Sequence, residues 1–201
     1  KYYDKALNSA ATIILINKEV ECPEGKALLI SEDPFRDFNT LTEYFKPFKK
    51  SVSQISETAQ IGEGTIIQPG AFVGNHVAIG NNCVIHSNVV LYDHTVIGNN
   101  CLFMISSHIA HDCKIGNNVI IANNVPLGGH VTIEDSVVIG GNSAVQQFTR
   151  IGRLAMIGGM TGVLNDVIPF GLSIGNRNYL QGLNLIGLRR KKYENQKIMG
   201  L

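Results

Sequence analysis

Residues 79–118 read IGNNCVIHSNVVLYDHTVIGNNCLFMISSHIAHDCKIGNN, and every sixth residue of this stretch, counted from its first, is aliphatic or a phenylalanine. The same spacing continues outward, from Ile55 to Val163, and a small or β-branched residue stands two positions before each large one. An α-helix, with its period of about 3.6 residues, cannot keep such a pair on one side every six residues. The spacing therefore predicts short strands joined by tight corners, the hexapeptide pattern of a parallel β-helix.

The predicted β-helix spans residues 51–168 and has a different kind of sequence on either side. Residues 11–17 and 26–31 read as strands and residues 34–48 as a helix that begins near Asp33 or Ser31, so 1–50 is predicted to be a truncated α/β segment. Residues 169–201 leave the repeat at Pro169 and are predicted to be a truncated helical extension. Known hexapeptide prisms wind left-handed. The predicted fold class is therefore mainly β: a left-handed parallel β-helix with a small α/β segment before it.

Composition excludes several classes of partner. The formal net charge of +1 creates no field that would attract nucleic acid or an anionic membrane surface. No apolar run reaches the roughly 18 to 20 residues of a transmembrane segment, so a cytoplasmic location is expected. The four cysteines form no Cys-x-x-Cys pair, and three of them fall in the series of small residues. All four are expected to be reduced, and the three in the small-residue series are expected to be buried.

Polar residues collect along one edge of the predicted prism. Residues eighteen apart should stack about 4.8 Å apart on neighbouring turns. The spacing aligns His76, His94, Asp112, His130 and Phe148, with Asp93, His111, Gly129 and Gln147 beside them. Three interpretations stay open: solvated edge residues, a zinc site, or a general base that works near neutral pH. The His-x-x-His pair at 108 and 111 has no obvious third ligand, so no metal is predicted. Gly129 would leave space and a free N–H for a reacting carbonyl.

Three stretches carry a resemblance to a known family: MISSHIAHDCKIGNNVIIANN (104–124), LGGHVTIEDSVVIGGNSAVQQF (127–148) and GNRNYLQGLNLIGLRRK (175–191). Over about 101–192 the chain resembles the UDP-N-acetylglucosamine 3-O-acyltransferases that start lipid A synthesis. The resemblance implies a cytoplasmic homotrimer without a metal or organic cofactor. Such an enzyme moves a 3-hydroxyacyl chain from acyl carrier protein to the 3-hydroxyl of UDP-N-acetylglucosamine.

The same resemblance implies roles for individual residues. His111 would be the general base, Asp112 its orienting partner and Gly129 the donor to the thioester oxyanion. Gln146 stands where the family often has a histidine, which is a departure from its pattern. The implied substrate contacts are His108, His130, Gln147, Gly159 as a gauge of acyl length, Asn184, Arg190 and Lys191.

Residues 1–100 resemble a second family, the UDP-3-O-acylglucosamine N-acyltransferases of the same pathway. The matching stretches are KYYDKALNSAATIILIN (1–17), DPFRDFNTLTEYF (33–45) and SVSQISETAQIGEGTIIQPGAFVGNHVAIGNNCVIH (51–86). Tyr2 would match the aromatic residue that stacks on uracil there. The two resemblances meet near 98–101 without a register shift, which raises the hypothesis of an engineered chimera. Two alternatives therefore stay open: N-acyl transfer to UDP-3-O-acylglucosamine, and an inactive trimeric β-helix.

Overall fold

The computed structural model of the protein describes residues 2–47 and 50–201. The chain divides into two compact units, Lys1–Lys50 and Ser51–Leu201. No helix in these described ranges has both the length and the apolar character needed to cross a lipid bilayer.

The N-terminal unit contains two helices and a two-stranded parallel sheet. Its elements are α1 (Tyr2–Leu7), β1 (Ile13–Ile16), β2 (Ala27–Ile30) and α2 (Pro34–Phe45). Asp33 caps α2, because its side chain accepts a hydrogen bond from the backbone N–H of Arg36 at 3.0 Å. The predicted strands and helix are confirmed with narrower bounds, whereas α1 was not predicted. Phe48, the last residue of the predicted helix, lies outside the described residues.

The C-terminal unit is built on eighteen two-residue strands, counted over the described residues, that follow one another six residues apart. Each strand pairs in parallel with the strand three places along the chain, which produces three sheets and six triangular turns. The predicted left-handed parallel β-helix is confirmed. The strands are β3 (Gln60–Ile61), β4 (Ile66–Ile67), β5 (Phe72–Val73), β6 (Ala78–Ile79), β7 (Val84–Ile85), β8 (Val90–Leu91), β9 (Val96–Ile97), β10 (Leu102–Phe103), β11 (His108–Ile109), β12 (Lys114–Ile115), β13 (Ile120–Ile121), β14 (Pro126–Leu127), β15 (Thr132–Ile133), β16 (Val138–Ile139), β17 (Ala144–Val145), β18 (Arg150–Ile151), β19 (Met156–Ile157) and β20 (Gly162–Val163).

The interior of the prism is filled by the two residue series that the spacing identified. The second residue of nearly every strand is buried, as is the small residue two positions before it. Cys83, Cys101 and Cys113 belong to the small series and are buried free thiols, as predicted. Burial raises the pKa of both Cys101 and Cys113 to about 11. These thiols therefore stay protonated and unreactive near neutral pH.

The corners of the prism differ in the residues that adopt a left-handed backbone. Two corners place mostly asparagine there, for example Asn100 and Asn124, which tolerates this conformation. The third corner, which we call the histidine corner, instead places His76, His94, Asp112, His130 and Phe148 in this region, with φ between 55° and 66°. A residue other than glycine in this region costs on the order of 1 kcal/mol. Leu154 and Met160 adopt the same conformation at the other two corners, so the histidine corner is set apart by its column of ionisable side chains.

The last turns end in a small cap. Strand β21 (Gly171–Ile174) extends the sheet of β19, β22 (Tyr179–Leu183) pairs with it antiparallel, and α3 (Leu185–Arg190) and α4 (Asn195–Ile198) follow. Phe170, Leu188 and Ile198 form a separate apolar cluster there. The helices agree with the predicted helical extension, but the β21–β22 hairpin was not predicted. Its turn has left-handed residues at Gly175 and Asn178, a signal that the sequence did carry.

We expect the ion pair between Glu134 and Arg150 to make stability depend on pH in the acid range. Arg150 donates to the Glu134 carboxylate on the outside of the prism, and this hydrogen bond holds the pKa of Glu134 below its ordinary value of 4.5. A carboxyl with a lowered folded-state pKa stabilises the fold above its unfolded pKa and loses that contribution as pH falls through the folded value. The denaturant midpoint of Glu134→Gln should therefore lie below that of the wild type at pH 7. The two midpoints should converge as the pH falls below the ordinary value of 4.5 and through the lowered pKa of Glu134.

Urea unfolding at pH 7 and pH 3 measures this difference. Glu57→Gln, a change at an exposed glutamate on an earlier turn, is the matched control. A gap between Glu134→Gln and wild type that stays constant across this pH range would contradict the assignment.

Candidate active site

The histidine corner brings His111, Asp112 and His130 together on two neighbouring turns. His111 and Asp112 follow β11, and His130 occupies the place one turn later. The backbone N–H of His130 donates to the carbonyl of His111 at 3.0 Å, and that of Asp112 donates to the carbonyl of Asp93 at 3.0 Å. Both bonds link residues nineteen apart, on neighbouring turns, so the predicted stacking along this edge is present in the structure.

His111 and Asp112 form a hydrogen-bonded pair. Nδ1 of His111 lies 2.8 Å from Oδ2 of Asp112. This hydrogen bond is the main reason that the pKa of Asp112 is lowered from its ordinary value of 3.8. An ionised carboxylate only accepts, so it fixes the ring proton on Nδ1 and leaves the lone pair on Nε2. The side chain of His111 is 57% exposed, which leaves Nε2 open to a substrate.

Gly129 lies against the ring of His111. The residue is buried, and a Cβ built on it would lie 2.8 Å from both Cε1 and Nε2 of His111. Such contacts are too short, so only glycine fits here without moving the ring. The backbone N–H of Gly129 has no hydrogen-bond partner in the described parts of the chain. A free donor therefore lies close to the nitrogen that carries the lone pair.

His130 is held by rings on two sides. Its ring makes an edge contact with His111 at a centroid distance of 5.1 Å and stacks on Phe148 at 4.9 Å. Nε2 of His130 also lies 3.9 Å from Oδ2 of Asp112. The eighteen-residue spacing places Phe148 in this column, although no role was predicted for it. The spacing of eighteen residues between His130 and Phe148 is the sequence signal that indicates a contact between their rings.

His108 lies on β11, before the corner. It is half-buried, and this burial lowers its pKa, so the neutral imidazole is favoured. Its ring is 5.3 Å from the ring of Tyr92, which in turn lies 6.0 Å from Phe72. Sequence reasoning missed this short row of aromatic rings beside the histidine corner, because Tyr92 stands in a different column from Phe72 and His108.

Gln147 and Gly159, two further substrate contacts implied by the resemblance, lie at different edges of the prism. Gln147 follows one turn after Gly128 and Gly129, since a Cβ on Gly128 would meet the backbone N of Gln147 at 2.5 Å. Gly159 is exposed and lies at a different corner, where a Cβ would approach the carbonyl of Gly141 at 3.3 Å. The structure therefore places Gln147 beside the His111 site, and Gly159 at another edge of the prism.

Asn184 has a structural position. Its Oδ1 accepts from the backbone N–H of Gly187 at 3.0 Å, which caps α3, and its Nδ2 donates to the carbonyl of Leu154 at 2.8 Å. Arg190 ends α3 and Lys191 caps it, and both side chains are exposed. Tyr2 lies in the N-terminal unit and is 87% exposed. The substrate roles of these residues stay predictions.

Three side chains of the histidine corner could hold a metal ion. Over the described ranges, His111, Asp112 and His130 are the one group of three such residues whose ligand atoms all lie within 4.8 Å of one another. In the sequence, the His108–His111 pair has no obvious third ligand, so no metal site was predicted. The structure assembles a different group, in which Asp112 and His130 join His111.

An apolar cleft of about 940 Å³ lies within the N-terminal unit. Its walls include Ile13, Leu29, Phe35 and Phe38, and Lys46 is the one ionisable residue among those that line it. Tyr2 does not line this cleft. No carboxylate or histidine lines this cleft to activate its hydroxyls, so the group formed by His111, Asp112 and His130 at the histidine corner is the candidate active site.

Two family models match parts of the chain. The model described as GMPPB C-terminal domain matches residues 50–143, and the model described as Udp N-acetylglucosamine O-acyltransferase; Domain 2 matches residues 166–201. The first covers much of the β-helix, and the second covers the cap.

Two curated relatives and one solved structure that are similar to this chain are named as UDP-N-acetylglucosamine acyltransferases. The acyl-(acyl-carrier-protein)–UDP-N-acetylglucosamine O-acyltransferase of Paracoccus denitrificans is 43% identical over 104 residues, 52% of this chain and 40% of the relative. That of Sinorhizobium fredii is 48% identical over 97 residues, 48% of this chain and 36% of the relative. The chain thus spans less than half the length of these curated relatives. The solved Arabidopsis UDP-N-acetylglucosamine acyltransferase is 30% identical, with a TM-score of 0.56, over 73% of this chain and 72% of that one.

Proposed function

The chain belongs to the family of UDP-N-acetylglucosamine O-acyltransferases, and on that premise we propose that it transfers a 3-hydroxyacyl chain from acyl carrier protein to the 3-hydroxyl of UDP-N-acetylglucosamine. One observation supports this most strongly. The His111–Asp112 pair, 2.8 Å apart, stands beside the unpartnered N–H of Gly129. A base and an oxyanion donor at one place are what acyl transfer from a thioester requires.

His111 is the proposed general base. Its Nε2 takes the proton of the sugar 3-hydroxyl as that oxygen attacks the thioester carbonyl. Asp112 keeps the proton on Nδ1 and stabilises the imidazolium that forms, as a carboxylate partner does in other histidine bases. Base catalysis of this kind accelerates a reaction by about 10² to 10⁴-fold.

Gly129 is the proposed oxyanion donor. The tetrahedral intermediate carries a negative oxygen, and a preorganised backbone N–H stabilises it by about 10² to 10³-fold in rate. When the intermediate collapses, the C–S bond breaks and the carrier thiolate leaves. The imidazolium of His111 then returns its proton to that sulfur, which restores the neutral base.

The remaining residues are proposed to position the two substrates. His130, held by Phe148, and the half-buried His108 would contact the nucleotide sugar beside the base, together with Gln147. Gly159 lies at a different corner from His111. In a homotrimer, a groove between two prisms would let the corner of one chain that carries His111 face a different corner of its neighbour. We therefore include a cytoplasmic homotrimer in the proposal. In this assembly, Asn184 would support substrate binding by holding the start of α3. Arg190 and Lys191 would contact the substrates through their exposed positive charges.

Binding of UDP-N-acetylglucosamine separates this proposal from an inert scaffold. Titration calorimetry should show binding by the wild-type chain and binding at least about tenfold weaker for His130→Ala, since a lost contact of about 1.4 kcal/mol has that effect. His76→Ala is the matched control, because His76 occupies the same column three turns earlier, stacked on His94 at 5.1 Å. A folded wild-type chain that gives no binding heat would refute the proposed function.

A further inference from the structure

We propose that His111, Asp112 and His130 form a binding site for a divalent transition-metal ion of the Zn²⁺ class, and that the bound ion blocks the base. Binding itself follows from the geometry of the three side chains alone. The blocking effect rests on the proposed function.

The distances between the ligand atoms fit one small ion. Oδ2 of Asp112 lies 2.8 Å from Nδ1 of His111 and 3.9 Å from Nε2 of His130. Each of the three side chains offers one ligand atom such that these atoms all lie within 4.8 Å of one another. Zn²⁺ binds such atoms at about 2.0 to 2.2 Å, which puts neighbouring ligand atoms about 3 to 3.5 Å apart. The observed distances lie on both sides of that range. Small side-chain rotations would therefore complete the coordination.

The backbone that carries the three ligands is already fixed. Asp112 and His130 are held at φ 59° and 60° in the strained corner conformation, and the N–H of His130 bonds to the carbonyl of His111 at 3.0 Å. The ring of Phe148, stacked within 5° of parallel to His130, restricts that imidazole. Little conformational freedom remains for an ion to remove, which favours binding.

The donor set selects the class of ion. Two imidazole nitrogens and one carboxylate suit Zn²⁺, Co²⁺, Ni²⁺ or Cu²⁺, whereas Mg²⁺ and Ca²⁺ prefer oxygen ligands throughout. The three side chains are between 36% and 57% exposed, so an ion can reach them from solvent. Three protein ligands would leave the remaining coordination positions to water.

Metal binding and base catalysis exclude each other at His111. An imidazole that binds a metal through Nδ1 must carry its ring proton on Nε2. Nε2 then has no lone pair with which to accept the proton of a sugar hydroxyl. The ion also removes the Asp112 carboxylate from its hydrogen bond to Nδ1. Zn²⁺ should therefore inhibit transfer, and a chelator should restore it.

Titration calorimetry with Zn²⁺ alone tests the site on the metal-free chain. We expect one ion per chain for the wild type, no binding of Mg²⁺, and affinity reduced at least about tenfold in His130→Ala and in Asp112→Asn. His76→Ala should bind as the wild type does. Co²⁺ added to the wild type should give visible absorption bands that Zn²⁺ abolishes, a readout that needs no variant to fold.

Specific results would overturn the proposal. The metal site would be refuted if the wild type neither bound Zn²⁺ nor gave the Co²⁺ bands. It would also be refuted if His130→Ala and Asp112→Asn, both folded, bound Zn²⁺ as tightly as the wild type. If the chain binds Zn²⁺ but transfers no acyl group, the metal site stands and the proposed function fails. If transfer continues at full rate with the site saturated by Zn²⁺, the blocking effect is wrong while the enzyme remains.

Discussion

Replacement of His111 by alanine should lower kcat of acyl transfer by about 10² to 10⁴-fold. The change removes the Nε2 lone pair that accepts the hydroxyl proton, and leaves the Asp112 carboxylate without the donor at 2.8 Å. Because the side chain is 57% exposed, little packing is lost and the fold should survive. Initial rates at saturating donor and acceptor concentrations measure the effect.

The matched control for this variant is His86→Ala. His86 is a partly buried histidine of the prism that lies at a different corner from His111. Its substitution should leave kcat unchanged. Added imidazole should restore part of the activity of His111→Ala and should have no effect on the control. Equal rates for His111→Ala and wild type would show that the base lies elsewhere.

Replacement of Gly129 by alanine should lower kcat by about 10²-fold or more. A Cβ at this position would lie 2.8 Å from Nε2 and Cε1 of His111, so the imidazole would have to move away from the substrate. The displaced ring would lose its alignment with both the hydroxyl and the oxyanion donor. Rates and far-UV circular dichroism together separate this effect from unfolding.

Gly141→Ala provides a close control for the second variant. Gly141, like Gly129, directly precedes a corner residue in the left-handed conformation, here Asn142. The nearest atoms to a Cβ on Gly141 would be the carbonyl oxygen of Asn123 at 3.4 Å, Cβ of Ala122 at 3.9 Å and the backbone N of Asn123 at 4.0 Å, which are ordinary contacts. The kcat of Gly141→Ala should stay close to that of the wild type. Equal activity in both alanine variants would remove Gly129 from the mechanism.

The β-helix was predictable because its pattern depends on few physical requirements. A large residue such as Ile109 must fill the interior at each strand, and a small one such as Ser107 must fit beside the corner, so the register is visible in the sequence. The cap was less predictable. The β21–β22 hairpin depends on pairing with β19 and on a turn at Gly175, whereas the composition of 169–201 resembles that of short helices.

The candidate site was predictable in part. Spacing alone placed Asp112 and His130 in one column, with His111 beside them. It could not show which imidazole nitrogen faces the carboxylate, or that Phe148 stacks on His130, because side-chain direction is set by the three-dimensional corner. Asn184 illustrates the opposite case. An asparagine before Leu185–Arg190 is a typical helix cap, yet the resemblance directed attention to substrate binding.

A competition between two acceptors tests most sharply whether the chain acylates the 3-hydroxyl of UDP-N-acetylglucosamine. The chain is given labelled 3-hydroxyacyl carrier protein with UDP-N-acetylglucosamine and UDP-3-O-acylglucosamine together, and the linkage in the product is determined. We expect an ester at the 3-hydroxyl of UDP-N-acetylglucosamine. An amide on the second acceptor, or no acylated product from a folded chain, would contradict it.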